Sequence, residues 1–380
     1  MNNNIGNVKL ESYKPKLLTH VGVTYDISTP DEELNKAIVA ISNGADVIAD
    51  ASLGEKSLET LTLLCRNLEC PVTCLPGYVL ATQKGGNELP HNLSKCEILE
   101  TTEKIFSIGA KGITIHPMID RRLISKINKS NRTFPFTSRM GNYIRRYLEY
   151  NIDNPFYKYF PEIVDLAKKY NANISLGVGT RSPSVVNNGG FDDLFKTEIE
   201  TSRELIKICN DNNVSVTLEA GGHITIDKMP EWYNYIKNQC YDVPLRVLVV
   251  STDRGMGHDN VSGAISAAYL ARLGVELICT VTRAEHISQP TIDDISESVI
   301  HYKIALASAF PNMKKETLVA DARSVGGCHL PNVIKNVIDP QGAAKAVKER
   351  SKMGLNEDAF DYELATCTMC GASCPLKYNR

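Results

Sequence analysis

The chain has 380 residues, with 42 lysines and arginines against 44 aspartates and glutamates, so its net charge of −2 offers no basic excess for binding a nucleic-acid backbone. No stretch approaches the roughly 20 apolar residues of a membrane-spanning helix, and the N-terminus lacks the basic and apolar regions of a secretory signal. We therefore expect a cytoplasmic protein with no membrane or nucleic-acid partner, whose 11 cysteines are reduced thiols.

Short apolar runs alternate with amphipathic segments along most of the chain. The apolar runs predict strands over 17–23, 47–51, 72–75, 112–116, 134–137, 174–177, 214–219, 247–251 and 277–282. The amphipathic segments predict helices over 32–43, 58–68, 97–108, 162–169, 198–212, 261–273 and 292–307. Strands so rich in Val, Ile and Leu are typical of a parallel sheet that is buried on both faces.

This alternation predicts an α/β protein, a (β/α)8 TIM-type barrel over residues 1–308. Because eight strands close such a barrel, one of the predicted strands is surplus, and 134–137 and 247–251 have the weakest patterns. The alternation ends after about residue 308. We expect a C-terminal helical extension over 309–360 and a flexible iron–sulfur cluster-binding tail over 361–380.

Polar residues follow almost every predicted strand, where a barrel of this class places its active site. They are His20, Asp50, Tyr78, His116, Ser138, Arg139, Arg181, Glu219, His223, Asp253, Glu285 and His286. Each alone has an ordinary structural explanation, such as a helix cap for Glu219. The unbroken series favours a functional site.

Three cysteines, Cys367, Cys370 and Cys374, stand within eight residues near the C-terminus, with no His or further Cys after them. A structural zinc site normally takes four protein ligands. Three thiolates instead suit a 4Fe–4S cluster with one open iron, which can chelate S-adenosylmethionine. From the spacing alone, a zinc site completed by a distant ligand remains an alternative.

Motifs recur in a fixed order along nearly the whole chain. They are GADVIAD ending at Asp50, PGY at Tyr78, TIH at His116, SRMG from Ser138 to Gly141, SLGVGTR ending at Arg181, EAGGH from Glu219 to His223, Thr252-Asp253 with Gly257 and Asp259, VTRAEH ending at His286, and the cysteine triplet. With this set the chain resembles the ThiC family of radical S-adenosylmethionine enzymes, the phosphomethylpyrimidine synthases.

The resemblance implies a chemistry and a set of partners. It implies a 5′-deoxyadenosyl radical that rearranges aminoimidazole ribonucleotide into hydroxymethylpyrimidine phosphate for thiamine biosynthesis. It also implies a 4Fe–4S cluster, S-adenosylmethionine, one additional divalent metal, and a reductant protein such as flavodoxin or ferredoxin. A homodimer is expected, with the tail of one subunit crossing to the barrel mouth of its neighbour.

The resemblance also assigns roles to residues of this chain. Cys367, Cys370 and Cys374 would bind the cluster, and His223 and His286 would bind the second metal, Zn or Fe. The substrate would contact His20, Tyr78, His116, Ser138, Arg139, Gly141, Arg181 and Glu219. Glu219 and Glu285 are expected to join the three cysteines as catalytic residues.

Departures from the family pattern are concentrated near the expected substrate. His20 replaces an Asn of the family, Val178 an Asp and Thr280 a Tyr, and only three residues separate Cys370 from Cys374 where the family usually has four. These changes favour a paralogue with another product, such as hydroxybenzimidazole for cobamide biosynthesis.

The same residues are compatible with three other function classes. A zinc hydrolase would use His223 and His286 as ligands and Glu219 or Glu285 as general base. A dinucleotide enzyme has only Gly255-Met-Gly257 in its favour, without a third glycine or an acidic partner. A paralogue that binds without catalysis would retain the barrel alone.

Overall fold

A computed structural model describes residues 15–25, 27–83, 93–241, 243–310 and 329–351, together with Cys367, Met369, Ser373 and Pro375. These residues belong to two compact units. The larger spans Lys14–Leu306, and the other comprises Met1–Tyr13 and Ala307–Arg380. No helix in the described ranges is long and apolar enough to cross a membrane.

The larger unit contains a closed barrel of parallel strands in the order β1 to β8. The strands are β1 Lys16–Val21, β2 Val47–Asp50, β3 Val72–Cys74, β4 Gly112–Ile115, β5 Asn173–Gly177, β6 Val216–His223, β7 Leu245–Val250 and β8 Leu277–Cys279. The barrel closes where Leu18 of β1 pairs with Cys279 of β8. This confirms the predicted fold class.

Helices follow the strands and surround the barrel. Between β1 and β4 they are α1 Pro30–Asn43, α2 Ser57–Asn67, α3 Pro76–Gln83 and α4 Lys95–Ile108; between β4 and β5, α5 Arg121–Ile127, α6 Arg139–Glu149, α7 Pro155–Lys158 and α8 Phe160–Lys169; then α9 Asp193–Asp211, α10 Met229–Gln239, α11 Asp259–Leu273 and α12 Ile292–Ala309. The second unit contains α13 Leu330–Ile334 and α14 Pro340–Ser351.

Local sequence explains where several helices begin and end. At α1, Thr29 and Glu32 form a capping box, Pro30 occupies the first turn, and Gly44 ends the helix with φ 110°. A left-handed φ of this kind favours glycine because it has no Cβ. The same reciprocal cap, Ser94 with Glu97, starts α4.

Side chains alternate between the inside of the barrel and the surrounding helices. Leu18, Val47, Ala49 and Cys279, from three adjoining strands, pack into one buried cluster. Since successive strand residues face opposite sides, these four define the inner face. The register then places His20 of β1, Thr114 of β4, Glu219 of β6 and Arg246 of β7 on that inner face.

Two details of the predicted pattern differ from the structure. Residues 134–137 form no strand, so this prediction was wrong; the segment is a loop before α6. Pro135 cannot donate a ladder hydrogen bond, which disfavours a central strand there. The other weak prediction, 247–251, corresponds to a true strand, β7. Helices α3, α5, α6, α7 and α10 were not predicted at all.

Candidate active site

The barrel interior holds a carboxylate between two guanidinium groups. Oε1 of Glu219 lies 3.1 Å from Nη1 of Arg181, and its Oε2 lies 3.0 Å from Nη1 of Arg246. Burial alone would raise the pKa of Glu219, but the charges of Arg246 and Arg181 outweigh it and hold the pKa at about 2. Glu219 is therefore an ionised acceptor, and it is not a helix cap.

Arg246, on β7, connects this carboxylate to β1, β4 and β8. It is 2% exposed and donates to Thr114 Oγ1 at 2.8 Å and to His20 Nε2 at 2.8 Å, with Cys279 Sγ 3.4 Å from its Nε. We call His20, Thr114, Arg181, Glu219, Arg246 and Cys279 the floor of the barrel mouth. The sequence prediction did not include Arg246, although a lone charge within the apolar run 245–250 could have signalled an inward, paired residue.

Arg181 reaches the floor because its loop is held by an outer helix. Glu198 of α9 is fully buried, and it accepts hydrogen bonds from the backbone N–H groups of Gly179 and Thr180 at 2.8 and 2.7 Å. Thr137 Oγ1 donates to the carbonyl of Arg181 at 2.6 Å. Among the described residues, the buried Nε of Arg181 has no hydrogen-bond partner, so the contacts of this guanidinium with Glu219 are made through Nη1.

His116 and the start of α6 form a second part of the mouth. His116 Nε2 lies 2.9 Å from Ser138 Oγ, and Ser138 caps α6 by accepting from the N–H of Gly141 at 3.1 Å. Burial lowers the pKa of His116 to about 4, so its ring is neutral. A Cβ at position 177 would lie 2.6 Å from His116 Nε2, which explains the glycine there.

Tyr78 and Arg139 adjoin this helix start. The Arg139 guanidinium lies 5.8 Å from the centre of the Tyr78 ring. Burial raises the pKa of the Tyr78 hydroxyl. The N-terminal end of an 11-residue helix, which is the positive end of its dipole, lies next to an exposed arginine here and is a chemically suitable site for a phosphate.

Two histidines meet at the outer edge of the mouth. The His223 and His286 rings are 5.0 Å apart between centroids at 61°. His223 Nδ1 donates to Asp253 Oδ1 at 2.7 Å, and His286 Nδ1 lies 3.1 Å from Oδ2 of Asp259. We call these four residues the rim. They line a cleft of about 420 Å³ that also includes Phe134, Val186 and Met256.

The rim fits a metal ion in part. The Asp253 carboxylate on Nδ1 fixes the His223 ring and leaves its Nε2 as a ligand, which is the usual arrangement around metal-binding histidines. Neither Nε2 has a hydrogen-bond partner within the described ranges. Those ranges contain no group of three or more His, Cys, Asp or Glu side chains arranged to hold a metal. An ion held here would bind two histidines and take its remaining ligands from elsewhere.

Glu285 lies at the mouth beside His286. Its side chain is exposed, yet the dense surroundings raise its pKa, an effect that the nearby charge of Asp259 reinforces. The structure therefore brings the predicted residues His20, Tyr78, His116, Ser138, Arg139, Gly141, Arg181, Glu219, His223, Glu285 and His286 to the carboxyl end of one barrel.

Of the three predicted cluster ligands, the structure describes Cys367 alone. Cys370 and Cys374 are outside the described residues, and Cys367 is a half-buried free thiol. Their donor set, three thiolates in eight residues, fits a 4Fe–4S cluster on chemical grounds alone.

Two of the residues that differ from the family pattern have side chains that face the surrounding helices and not the barrel mouth. Thr280 is buried and its Oγ1 lies 2.9 Å from Oγ1 of Thr19, both on the helix-facing side of their strands. Val178 is completely buried, one residue past the inward-facing Gly177, so strand alternation turns it toward the helices. The expectation that these two side chains line the mouth was wrong; His20 does line it.

Comparison with known proteins identifies relatives over nearly the full length. A family profile described as the radical SAM ThiC family matches residues 5–380. The phosphomethylpyrimidine synthase of Pyrococcus furiosus is 28% identical over 97% of this chain and 85% of its own, and that of Thermoanaerobacter pseudethanolicus is 30% identical over 95% and 83%. A dihydropteroate synthase from Vibrio fischeri ES114 superimposes with a TM-score of 0.45 at 12% identity, covering 79% of this chain and 94% of that chain, too distant a likeness to bear on function.

Proposed function

The chain belongs to the radical SAM ThiC family, and from this membership we propose that it acts on an aminoimidazole ribonucleotide or a close relative of that compound. The family implies S-adenosylmethionine and a 4Fe–4S cluster as cofactors. The observation that carries the proposal is the family match over 5–380, which includes both the barrel and the cysteine triplet. The default product is hydroxymethylpyrimidine phosphate, the product class of the named relatives.

The proposed binding mode follows from charges in the mouth. The first turn of α6, with Arg139 and Tyr78, would hold the phosphate. The floor carries two guanidinium groups against one carboxylate, which favours an anionic ligand. Because the pKa of Glu219 is about 2, this residue would orient the substrate by accepting hydrogen bonds and would not donate a proton.

The cofactors would be held by other residues. Cys367, Cys370 and Cys374 would ligate the cluster, which when reduced supplies the electron that cleaves S-adenosylmethionine. His223 and His286 would hold a divalent ion, Zn or Fe, through their Nε2 atoms. A zinc hydrolase is a weaker candidate than the radical enzyme because the family match includes the cysteine tail.

Partners are proposed on the same basis. A flavodoxin or ferredoxin would supply the electron, and a second copy of this chain would place its tail at the mouth. Exposed apolar side chains at the rim cleft, Phe134, Val186 and Met256, are 67%, 81% and 65% exposed and offer a surface for such a contact.

The product distinguishes the two forms of the proposal. His20 stands where the family pattern has an Asn, and it contacts Arg246. This difference favours a paralogue with another product. The test is anaerobic reconstitution with iron and sulfide, reduction, and addition of S-adenosylmethionine with aminoimidazole ribonucleotide, followed by mass spectrometry.

Formation of 5′-deoxyadenosine with hydroxymethylpyrimidine phosphate would establish the default reaction. The same nucleoside with hydroxybenzimidazole or another mass would establish the paralogue. A reconstituted cluster that cleaves no S-adenosylmethionine with this substrate would contradict the substrate assignment. The matched control is Cys370→Ser, which should abolish cleavage while leaving the barrel folded.

A further inference from the structure

The contact between Arg246 and His20 determines where the imidazole carries its proton. Arg246 Nη2 lies 2.8 Å from His20 Nε2. A guanidinium can only donate, so Nε2 of His20 must accept. A neutral imidazole that accepts at Nε2 carries its hydrogen on Nδ1. The ring is neutral because burial, reinforced by Arg246, lowers its pKa to about 3.

Arg246 cannot turn away and release this tautomer. Its side chain is held at the same time by Glu219 Oε2 at 3.0 Å and Thr114 Oγ1 at 2.8 Å. Moving the guanidinium would leave a buried carboxylate without one of its two counter-ions, which is energetically costly. The donor that faces Nε2 is therefore a fixed part of the floor.

The other ring nitrogen of His20, Nδ1, has no partner among the residues that the structure describes. No described group hydrogen-bonds to Nδ1, and the carboxylate of Glu219 contacts Arg181 and Arg246. The residue is half-buried at the carboxyl end of β1, where solvent still reaches it. Its Nδ1–H is consequently an unused hydrogen-bond donor at the mouth.

We propose that His20 is a specificity-determining residue that offers one N–H donor to the substrate, and that Arg246 is the positioning residue that fixes its tautomer. The inference deepens the proposed function and rests on it. The substrate is then a ribonucleotide whose heterocycle or sugar presents an acceptor, such as an unprotonated ring nitrogen or a carbonyl oxygen, opposite His20. A group that can only donate would face this N–H and is excluded.

The first test observes the tautomer without any substrate. The full chain is labelled with ¹⁵N-histidine, and His20 is assigned by the signal lost in His20→Asn. Long-range ¹H–¹⁵N spectra should show protonated Nδ1, unprotonated Nε2 and no titration of His20 between about pH 5.5 and 8. Protonated Nε2, or titration within that range, overturns the inference.

The second test measures binding of aminoimidazole ribonucleotide by calorimetry with two matched variants. The amide N–H of His20→Asn stands close to the lost Nδ1 and keeps a donor there. The longer His20→Gln reaches Arg246 but leaves no donor at the Nδ1 position. We expect His20→Gln to weaken binding about 10- to 100-fold and His20→Asn to weaken it much less. Equal weakening by both variants, or none by either, overturns the inference while the proposed function stands.

If aminoimidazole ribonucleotide does not bind to the wild-type chain, the proposed function and the inference about His20 can be judged separately. It would count against aminoimidazole ribonucleotide as the substrate, and therefore against the proposed function. The spectra then decide the inference on their own, because the Nδ1–H tautomer supports it and the Nε2–H tautomer overturns it. Melting curves of both variants confirm that the barrel is folded in each comparison.

Discussion

The floor and the rim of the barrel mouth hold their charges in opposite ways. In the floor, Glu219 is buried and both its oxygens are paired with guanidinium groups. At the rim, His223 Nδ1 is hydrogen-bonded to Asp253, His286 Nδ1 lies 3.1 Å from Asp259, and neither Nε2 has a partner among the described residues. The floor is therefore built for one fixed charge state, whereas the rim keeps donor atoms free for a ligand. The buried floor is thus a rigid recognition surface, and the outer rim of the same barrel is a ligand-binding edge.

The largest expected effect comes from removing the central charge of the floor. Glu219→Gln leaves two buried arginines without a counter-ion, and we expect a loss of about 3–5 kcal/mol in the free energy of unfolding. Urea denaturation measures it. Glu149→Gln is the matched control, because among the described residues Glu149 pairs with Arg145, a partly exposed neighbour on the same helix, and its loss should cost less than about 0.5 kcal/mol. Similar losses of stability in both variants would show that the buried arginines do not depend on the charge of Glu219.

The floor should also be insensitive to ordinary pH changes. Because the pKa of Glu219 is depressed to about 2, its contribution to stability is fully present above the ordinary value of 4.5 and is lost only as the pH falls through about 2. The loss caused by Glu219→Gln should therefore be the same at pH values of about 5 and 8. A loss that changes clearly between these pH values would indicate a carboxyl whose folded-state pKa is raised into this range, which contradicts a pKa depressed by the two arginines.

The rim should respond through metal affinity and much less through stability. Asp253→Asn keeps the size of the side chain but removes the carboxylate that orients His223, so we expect zinc affinity to fall about 10- to 100-fold. His223→Ala should abolish binding at this site. Competition with a chelator measures both, and His301→Ala, on α12, is the control. Unchanged zinc affinity in Asp253→Asn would mean that the rim does not hold the ion.

A third location, the helix-facing side of β2, sharpens the contrast with the floor. Asp50 is 1% exposed, its Oδ1 accepts from Ser52, and its Oδ2 has no described hydrogen-bond partner. Burial raises its pKa from 3.8 to about 7. The neutral acid is favoured in the folded state, so the stability it contributes is present below the ordinary pKa and is lost as the pH rises through about 7.

Asp50→Asn should remove this penalty. We expect the variant to gain roughly 1–3 kcal/mol relative to wild type at a pH of about 8 and little or nothing at a pH of about 4. Denaturation at the two pH values measures the difference. If the free energies of unfolding of the two proteins changed with pH in parallel across this range, ionisation of Asp50 would cost little. That result would contradict a buried carboxyl with an unpaired oxygen.

The smallest effect is expected on the outer surface. Lys207 and Asp211 form an ion pair at 2.5 Å on α9, with both side chains more than half exposed. Asp211→Ala should change stability by less than about 0.5 kcal/mol, and about 1 M salt should remove the difference. A larger or salt-independent change would mean that the surface charges behave like those of the floor.

Sequence alone could predict the barrel, because apolar runs and amphipathic segments alternate through the larger unit. It could also predict that polar residues gather at the strand ends. It could not decide which face each residue takes, because an uncertainty of one residue in a strand reverses the face of every side chain. Val178 and Thr280 were placed near the substrate from family motifs, which do not show that each follows an inward-facing residue and so faces the helices. Arg246 was missed because its strand was predicted to begin two residues too late.

The long-range pairing of charges was equally beyond sequence reasoning. Arg246 and Glu219 are neighbours only through the register of β6 and β7, and Arg181 reaches them only because Glu198 holds its loop. The domain limits at 308 and 360 remain predictions, as do the roles of Cys370 and Cys374.

Arg246 also has a consequence for how the barrel comes apart. Its contacts run from β7 to β1, β4, β6 and β8, so it spans the junction where the first strand meets the last. Strands at such a junction would otherwise fray first. Opening it here requires the separation of charges that are buried together, so the amide protons of β1 and β8 should exchange with solvent only when the entire barrel unfolds.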